Sequence, residues 1–205
     1  MVAIAGTALE RVAVAKLRPT QMTVGLREVN RKRSEWHDKR RELGRSYIET
    51  HMIPAILGPK DQFYIVDNHH LARALFEEGI KEVLVIVLAK LDMLKKGAFW
   101  VYLDNRAWVH PFDKNGQRRT YDDIPHTVAQ MDDDPFRSVA GELRRAGGFA
   151  KDATPYTEFL WADALRSMIS TKMVKRDFDH TLELALKFAR SSQASYLPGW
   201  CGPHS

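Results

Sequence analysis

The run IPAILGPKDQFYIVDNHHLARALFEEG, residues 53–79, continues at once into IKEVLVIVLA, residues 80–89, and its reading decides the fold. IPAILG and FYIVD are short apolar runs rich in β-branched and aromatic residues, and the turn signal Gly58-Pro59-Lys60-Asp61 between them makes residues 53–67 a hairpin. Asn68 stands where it can cap a helix through HHLARALFEEG, in which Leu71, Ala74 and Leu75 share a face and Gly79 supplies a stop. Residues 83–89, VLVIVLA, form the most apolar strand of the chain.

Upstream, RVAVAKL at residues 11–17 alternates as a strand does, and Arg18-Pro19-Thr20 ends it. Residues 23–33 and 36–50 read as helices, with Gly44 as an interruption. Downstream, residues 91–103, with Trp100 and Tyr102, read as a helix against the core, and the acidic, proline-punctuated stretch 113–135 as loops. Residues 137–145, 156–173 and 178–190 read as three helices before an irregular tail, YLPGWCGPHS. The expected architecture is α+β: a compact domain over residues 11–90, and a mainly helical extension over 91–205 packed on it.

Hydrophobic residues make up 44% of the 205 and charged residues 28%, which excludes the low-hydrophobicity regime of disorder. Net charge is +5, so an anionic partner such as a nucleotide or nucleic acid is electrostatically welcome. Much of the excess lies in Arg27, Arg31, Lys32, Arg33, Lys39, Arg40, Arg41 and Arg45, interleaved with Glu28, Glu35, Asp38 and Glu42. That interleaving favours a solvated helix face with i,i+4 pairs over a DNA-tracking stripe. One cysteine, Cys201, excludes an intramolecular disulfide framework and suits a reducing, cytoplasmic setting. The opening MVAIAGTALERVAVAKL lacks a basic leader, and Glu10 and Arg11 interrupt it, so no membrane segment is expected there.

A strand that ends in Asp67 and turns through Asn68 into a helix beginning His69-His70 is an anion site by construction. Backbone N–H groups at a helix start have no intrahelical acceptor and the macrodipole there is positive. Two imidazoles can donate hydrogen bonds or shuttle protons, Arg73 follows one turn later, and Asp67 can orient an imidazole or hold Mg²⁺. A lone histidine here would be read as structural; the Asp-Asn-His-His cluster favours function.

Other clusters carry less. Asp132-Asp133-Asp134 before Pro135 is read first as a helix cap and only second as a cation site. His110, His126 and His180 have no metal-ligand spacing, and Phe159, Trp161 and Leu165 are core before they are a ligand cage. Residues 196–200 either fold over a cleft or dock as a terminus.

The order of an opening strand, LRPTQ at residues 17–21, a helix, the hairpin, NHHLARALFEEG and a final strand resembles the ParB/sulfiredoxin superfamily, and most closely the group called "putative ParB-like nucleases". The resemblance covers residues 11–90; DPFRSVAGELRRAGGF and TEFLWADALR resemble the same group's extension. It implies that the turn entering the helix holds phosphates. Gln21 matches the glutamine of the ParB signature PNPxQPR, whereas the ParB run GERRxRA is replaced by DNHHLARA. The cysteine of the sulfiredoxin motif GCHR is replaced by Asn68, which removes sulfiredoxin chemistry. DNHH is closer to the DGHH of ParB-fold small-metabolite kinases, but Gln21 stands where those kinases carry a carboxylate base; Glu28 is the nearest substitute.

The leading expectation is therefore a ParB-like nuclease, an enzyme acting on nucleotide or nucleic-acid phosphoryl groups. Asp67, His69 and His70 would be catalytic, with Asn68, His69, His70, Arg73 and Gln21 on phosphate or nucleotide and Asp67 on a metal. Expected cofactors are Mg²⁺ and ATP, ADP or CTP. The alternatives are an ATP- or ADP-dependent small-metabolite kinase and a non-catalytic nucleotide- or DNA-binding protein, although no helix-turn-helix is identifiable after Pro135.

Overall fold

The computed structural model describes residues 8–43 and 51–203, with side chains over 8–40 and 51–203. The expected interruption at Gly44 and helix end at residue 50 lie outside the described residues, as do Arg41 and Arg45 as side chains and the opening seven residues. The chain divides into two compact units after Asp132. Residues 91–132 thus pack with the first unit, beyond the expected boundary at residue 90.

The first unit is a five-stranded sheet in the order β1-β6-β4-β5-β2. Its strands are β1 (Ala8–Ala13), β2 (Arg18–Pro19), β4 (Ile53–Gly58), β5 (Gln62–Ile65) and β6 (Glu82–Lys90). β4 and β5 form the expected antiparallel hairpin, with Ala55 opposite Ile65 and Ile56 opposite Tyr64. β6 runs parallel to β4, with a register shift at Ala55/Ile56, and antiparallel to β1. β2 lies parallel to β5, pairing Arg18 with Tyr64 and Pro19 with Ile65. The opening strand begins earlier than residue 11 and ends at Ala13, because residues 14–16 wind into a 3-10 turn in which Val14 N–H donates to Lys81 C=O at 3.0 Å.

Alternation along the strands gives the sheet two apolar faces. On one, Val12, Ile53, Ala55, Ile65, Val83, Val85 and Val87 pack against α1 (Leu26–Leu43) and α2 (His69–Glu77). On the other, Ile56, Tyr64 and Leu88 meet α3 (Lys96–Asn105) through Phe99, Trp100 and Leu103. Each fully buried Leu or Phe contributes about 1.5–3 kcal/mol.

Three helix boundaries differ from the sequence reading. α1 is one helix where two were expected, since Arg31 and Lys32 both pair with Glu35 across the anticipated break. Thr23–Val24, the first residues of the helix expected over 23–33, are instead a short strand, β3, beside which Met22 C=O accepts from Asp132 N–H at 3.0 Å. α3 starts at Lys96 rather than residue 91.

The second unit is helical, as expected: α4 (Pro135–Arg145), α5 (Thr157–Met168), α6 (Thr171–Arg176) and α7 (Phe178–Ala189). The expected helix over 156–173 is split because Ile169 is extended and Ser170 caps α6. Asp134 caps α4 by accepting the Phe136 N–H at 2.9 Å and also takes Arg166 Nη2 at 2.6 Å, which is the capping reading of the acidic run. Phe159, Trp161 and Leu165 are core residues, with Trp161 stacked on Phe149 at 4.5 Å. The tail docks within this unit: Pro198 C=O accepts from Trp161 Nε1 at 2.9 Å, and Gly199 C=O from Ala150 N–H at 2.7 Å.

Candidate phosphate site at the start of helix α2

β5 delivers the chain to a tight turn. Val66 N–H still bonds the Pro54 C=O at 3.0 Å, and then Asn68 adopts a left-handed conformation, φ 61°, ψ 28°, which reverses the backbone into α2. Asparagine tolerates that region better than most residues. Asn68 N–H donates to Asp67 Oδ1 at 2.6 Å, and Asn68 C=O accepts the first helical N–H, from Ala72, at 2.9 Å. The expected side-chain cap is not formed; the Asn68 amide donates to the Met52 carbonyl at 3.1 Å and so ties the turn to the lead-in of β4. Asp67 and Asn68 are both exposed.

The histidines face inward. His69 Nε2 accepts from the Thr20 N–H at 3.1 Å, and Thr20 Oγ1 donates in turn to the Ile65 carbonyl at 2.8 Å. His70 Nε2 accepts from the Gly25 N–H at 2.9 Å and lies 3.9 Å from Glu28 Oε2. Both rings are buried, at 4% and 8% exposure. A nitrogen that accepts an N–H carries no proton, so any proton transfer by these rings runs through Nδ1.

The structure brings Asp67, Asn68, His69 and His70 together and turns Gln21 and Arg73 elsewhere. The Gln21 amide is buried and donates to the Thr23 carbonyl at 3.2 Å, with its backbone bridged to His110. Arg73 reaches the carbonyls of Val128 (3.2 Å) and Met131 (3.0 Å) and the Glu77 carboxylate (2.6 Å), holding the loop that passes over α2. Sequence reading missed Thr20 and Gly25, the backbone donors to the histidines. No side-chain type announces a donor N–H; only the fold reveals it. Glu28, noted in sequence for its carboxylate, is largely buried beside His70 and 3.5 Å from Arg31.

Among the described residues no three His, Cys, Asp or Glu side chains gather to hold a metal ion, and no helix is long and apolar enough to cross a membrane. His110 stacks on Phe112 at 4.6 Å, and His180 sits by Glu183 on α7.

The model of the family described as "Putative ParB-like nuclease" matches residues 10–167, which reaches from β1 into α5. Protein Atu1540 from Agrobacterium tumefaciens, known as a crystal structure, is 47% identical over 98% of this chain and 100% of its own, with a TM-score of 0.91. No curated protein matches the chain. With the match spanning the sheet, the helix start and much of the second unit, the chain belongs to the ParB-like nuclease family.

Proposed function

We propose that the protein acts on the phosphoryl groups of a nucleotide or nucleic acid, with the phosphate held at the start of α2. The observation that carries this reading is the exposed Asp67-Asn68 turn, set at a helix N-terminus by two buried histidines. A helix start favours an anion through its N–H groups and its dipole. In this reading Asn68 contacts the phosphate from the turn, while His69 and His70 hold that turn against Thr20 and Gly25 and offer Nδ1 for acid–base work. Gln21 and Arg73 support it from behind, Gln21 by bracing the loop before β3 and Arg73 by bracing residues 128–131. In hydrolysis a water oxygen bonds to phosphorus as the ester P–O bond breaks, and the leaving oxygen takes the proton.

Mg²⁺ fits as a partner of Asp67 alone, because this ion is commonly held by one or two carboxylates with the substrate phosphates completing its shell. When bound it supplies charge neutralisation on the phosphate oxygens. ATP, ADP and CTP are the nucleotides to try first, and the net charge of +5 favours nucleic acid as well.

The test is a thermal-shift panel of ATP, ADP, CTP and single- and double-stranded DNA with and without Mg²⁺, together with cleavage and phosphate-release assays, on the wild type and Asp67→Asn. A ligand at a hundredfold excess over its Kd stabilises by about 2.7 kcal/mol. A Mg²⁺-dependent shift and turnover that Asp67→Asn removes supports the reading; turnover indifferent to this substitution discards it.

A second reading, phosphorylation of a small metabolite from ATP or ADP, is favoured by the burial of Glu28 beside His70, which puts a carboxylate behind the helix start. Transfer of labelled phosphate to a hydroxylated metabolite, lost in Glu28→Gln and unaccompanied by polynucleotide cleavage, would select it.

A further inference from the structure

We propose that a cleft on the α3 face of the sheet, separate from the start of α2, binds a nucleotide unit through both its phosphate and its base. The cleft lies between β2, the β4–β5 turn, the first turn of α3 and the loop of residues 121–126. It shares no residue with the Asp67-Asn68-His69-His70 cluster, and its central strand residue, Tyr64, faces the side of the sheet opposite to Ile65, which packs toward α2.

Arg18 is the observation that points to an anion. Its Nε donates to Gln62 Oε1 at 2.9 Å and its Nη1 to the His126 carbonyl at 3.2 Å, both neutral acceptors. No carboxylate among the described residues pairs with it. A guanidinium fixed in place without a counter-charge keeps its field and its remaining N–H groups for an incoming anion. Lys60, on the β4–β5 turn, and the ring of His126 line the same cleft and likewise have no acidic partner among the described residues. Asp122 is the one acid in the lining, and it is already paired with Lys96 at 2.5 Å.

The lining is aromatic as well. Tyr64 is the register partner of Arg18 in parallel strands, so the two side chains stand side by side on one face. Its ring meets Trp100 edge-on at 5.4 Å, and Trp100 stacks on Tyr121 at 5.8 Å with 12° between planes. The Tyr64 hydroxyl has no hydrogen-bond partner among the described residues, and burial pushes its pKa up, so it meets a ligand as a neutral group able to donate and accept. A site for a bare anion has no use for such a wall, and a purely apolar ligand has none for the two uncompensated cations, Arg18 and Lys60. A phosphate joined to a flat base uses both. The unit is either a free mononucleotide or one residue of a single strand, and the chemistry is shared.

Isothermal titration of the full chain in EDTA, which silences the Mg²⁺-dependent binding proposed at Asp67, with AMP, inorganic phosphate and a short single-stranded oligothymidylate tests the proposal, using wild type, Arg18→Gln and Lys60→Gln. AMP is expected to bind at least about tenfold more tightly than phosphate, and each cleft substitution to weaken nucleotide binding by at least about tenfold. Lys60→Gln alters an exposed side chain, so loss of binding there does not reflect unfolding. An oligonucleotide bound more tightly than AMP identifies a strand; AMP bound as tightly or more tightly identifies a free nucleotide. Absence of binding by both, phosphate binding as tight as AMP, or AMP binding unchanged in both cleft variants overturns the cleft proposal. Because titration without Mg²⁺ reads the cleft and Mg²⁺-dependent turnover in Asp67→Asn reads the helix start, the two sites succeed or fail separately.

Discussion

His70 Nε2 accepts the Gly25 N–H at 2.9 Å, so the first turn of α2 is bonded to the residue that leads into α1. Gly25 is buried, and its N–H has no water to fall back on. His70→Ala is expected to cost about 1–3 kcal/mol, the penalty of an unsatisfied buried donor. His70→Gln, whose carbonyl oxygen can accept in place of Nε2, should recover part of it. Urea denaturation of both variants reads the difference; equal losses would show that the acceptor is not what matters.

Arg73 was expected at the phosphate, and its guanidinium is instead held by the Val128 and Met131 carbonyls. Arg73→Met should therefore lower stability by about 1.5–3 kcal/mol, the range for hydrogen bonds to a charged group. Hydrogen exchange should rise first over residues 128–131. Nucleotide binding by the fraction that remains folded should be unchanged.

Asn68 sits at φ 61°. Asn68→Gly keeps that conformation accessible, whereas Asn68→Ala brings a Cβ into a region that costs about 1–2 kcal/mol. Both lose the bond to Met52 C=O, so the gap between them isolates the backbone term. Thermal unfolding should rank wild type, Gly, then Ala.

Asp104 gives a pH signature to the first unit. Burial pushes its carboxyl upward, but hydrogen bonds from the Tyr121 hydroxyl at 2.6 Å and from Arg118 outweigh burial and leave its pKa below the ordinary 3.8. A carboxyl lowered in the folded state adds stability above its unfolded pKa and loses it as pH falls through the folded value. Acid unfolding of Asp104→Asn should accordingly lose this contribution at neutral pH and show a shallower decline below pH 3.8. Tyr121→Phe should move the Asp104 titration, followed by carboxyl NMR, upward.

Gly199 takes φ +73°, and a Cβ there would lie 2.0 Å from the Ala150 carbonyl oxygen. Gly199→Ala should cost at least about 2 kcal/mol from strain and overlap together. The bond from Trp161 Nε1 to Pro198 C=O reports the consequence, through a change in tryptophan emission and faster proteolysis of the tail.

The hairpin, the helix after it and the apolar strand β6 were legible because their signals are local: Gly58-Pro59 for the turn, Leu71, Ala74 and Leu75 for the buried face, alternating valines for β6. α1 was misread as two helices because its continuity depends on side-chain pairs across Ser34, which is itself only a middling helix former. β2 and β3 are two residues each, and their pairing with β5 and beside Asp132 leaves no periodicity to read. At the candidate site the cluster was visible, but its orientation was not. Whether an imidazole looks toward solvent or toward a backbone N–H is settled by Thr20 and Gly25, which sequence separates from the histidines by 49 and 45 residues. The Arg18 cleft was invisible for the same reason, being assembled from segments far apart in the chain.

β1 and β2 are neighbours in sequence, yet they occupy opposite edges of the sheet. Neither has a strand to join until the later segments that carry β5 and β6 have been made, so residues 8–19 wait for partners that follow them in the chain. Seating residues 8–19 therefore closes a long loop around the hairpin, α2 and β6, the kind of non-local pairing that slows folding. Once seated, that same segment clasps both borders of the sheet like a buckle, so loosening it unfastens the two edges together.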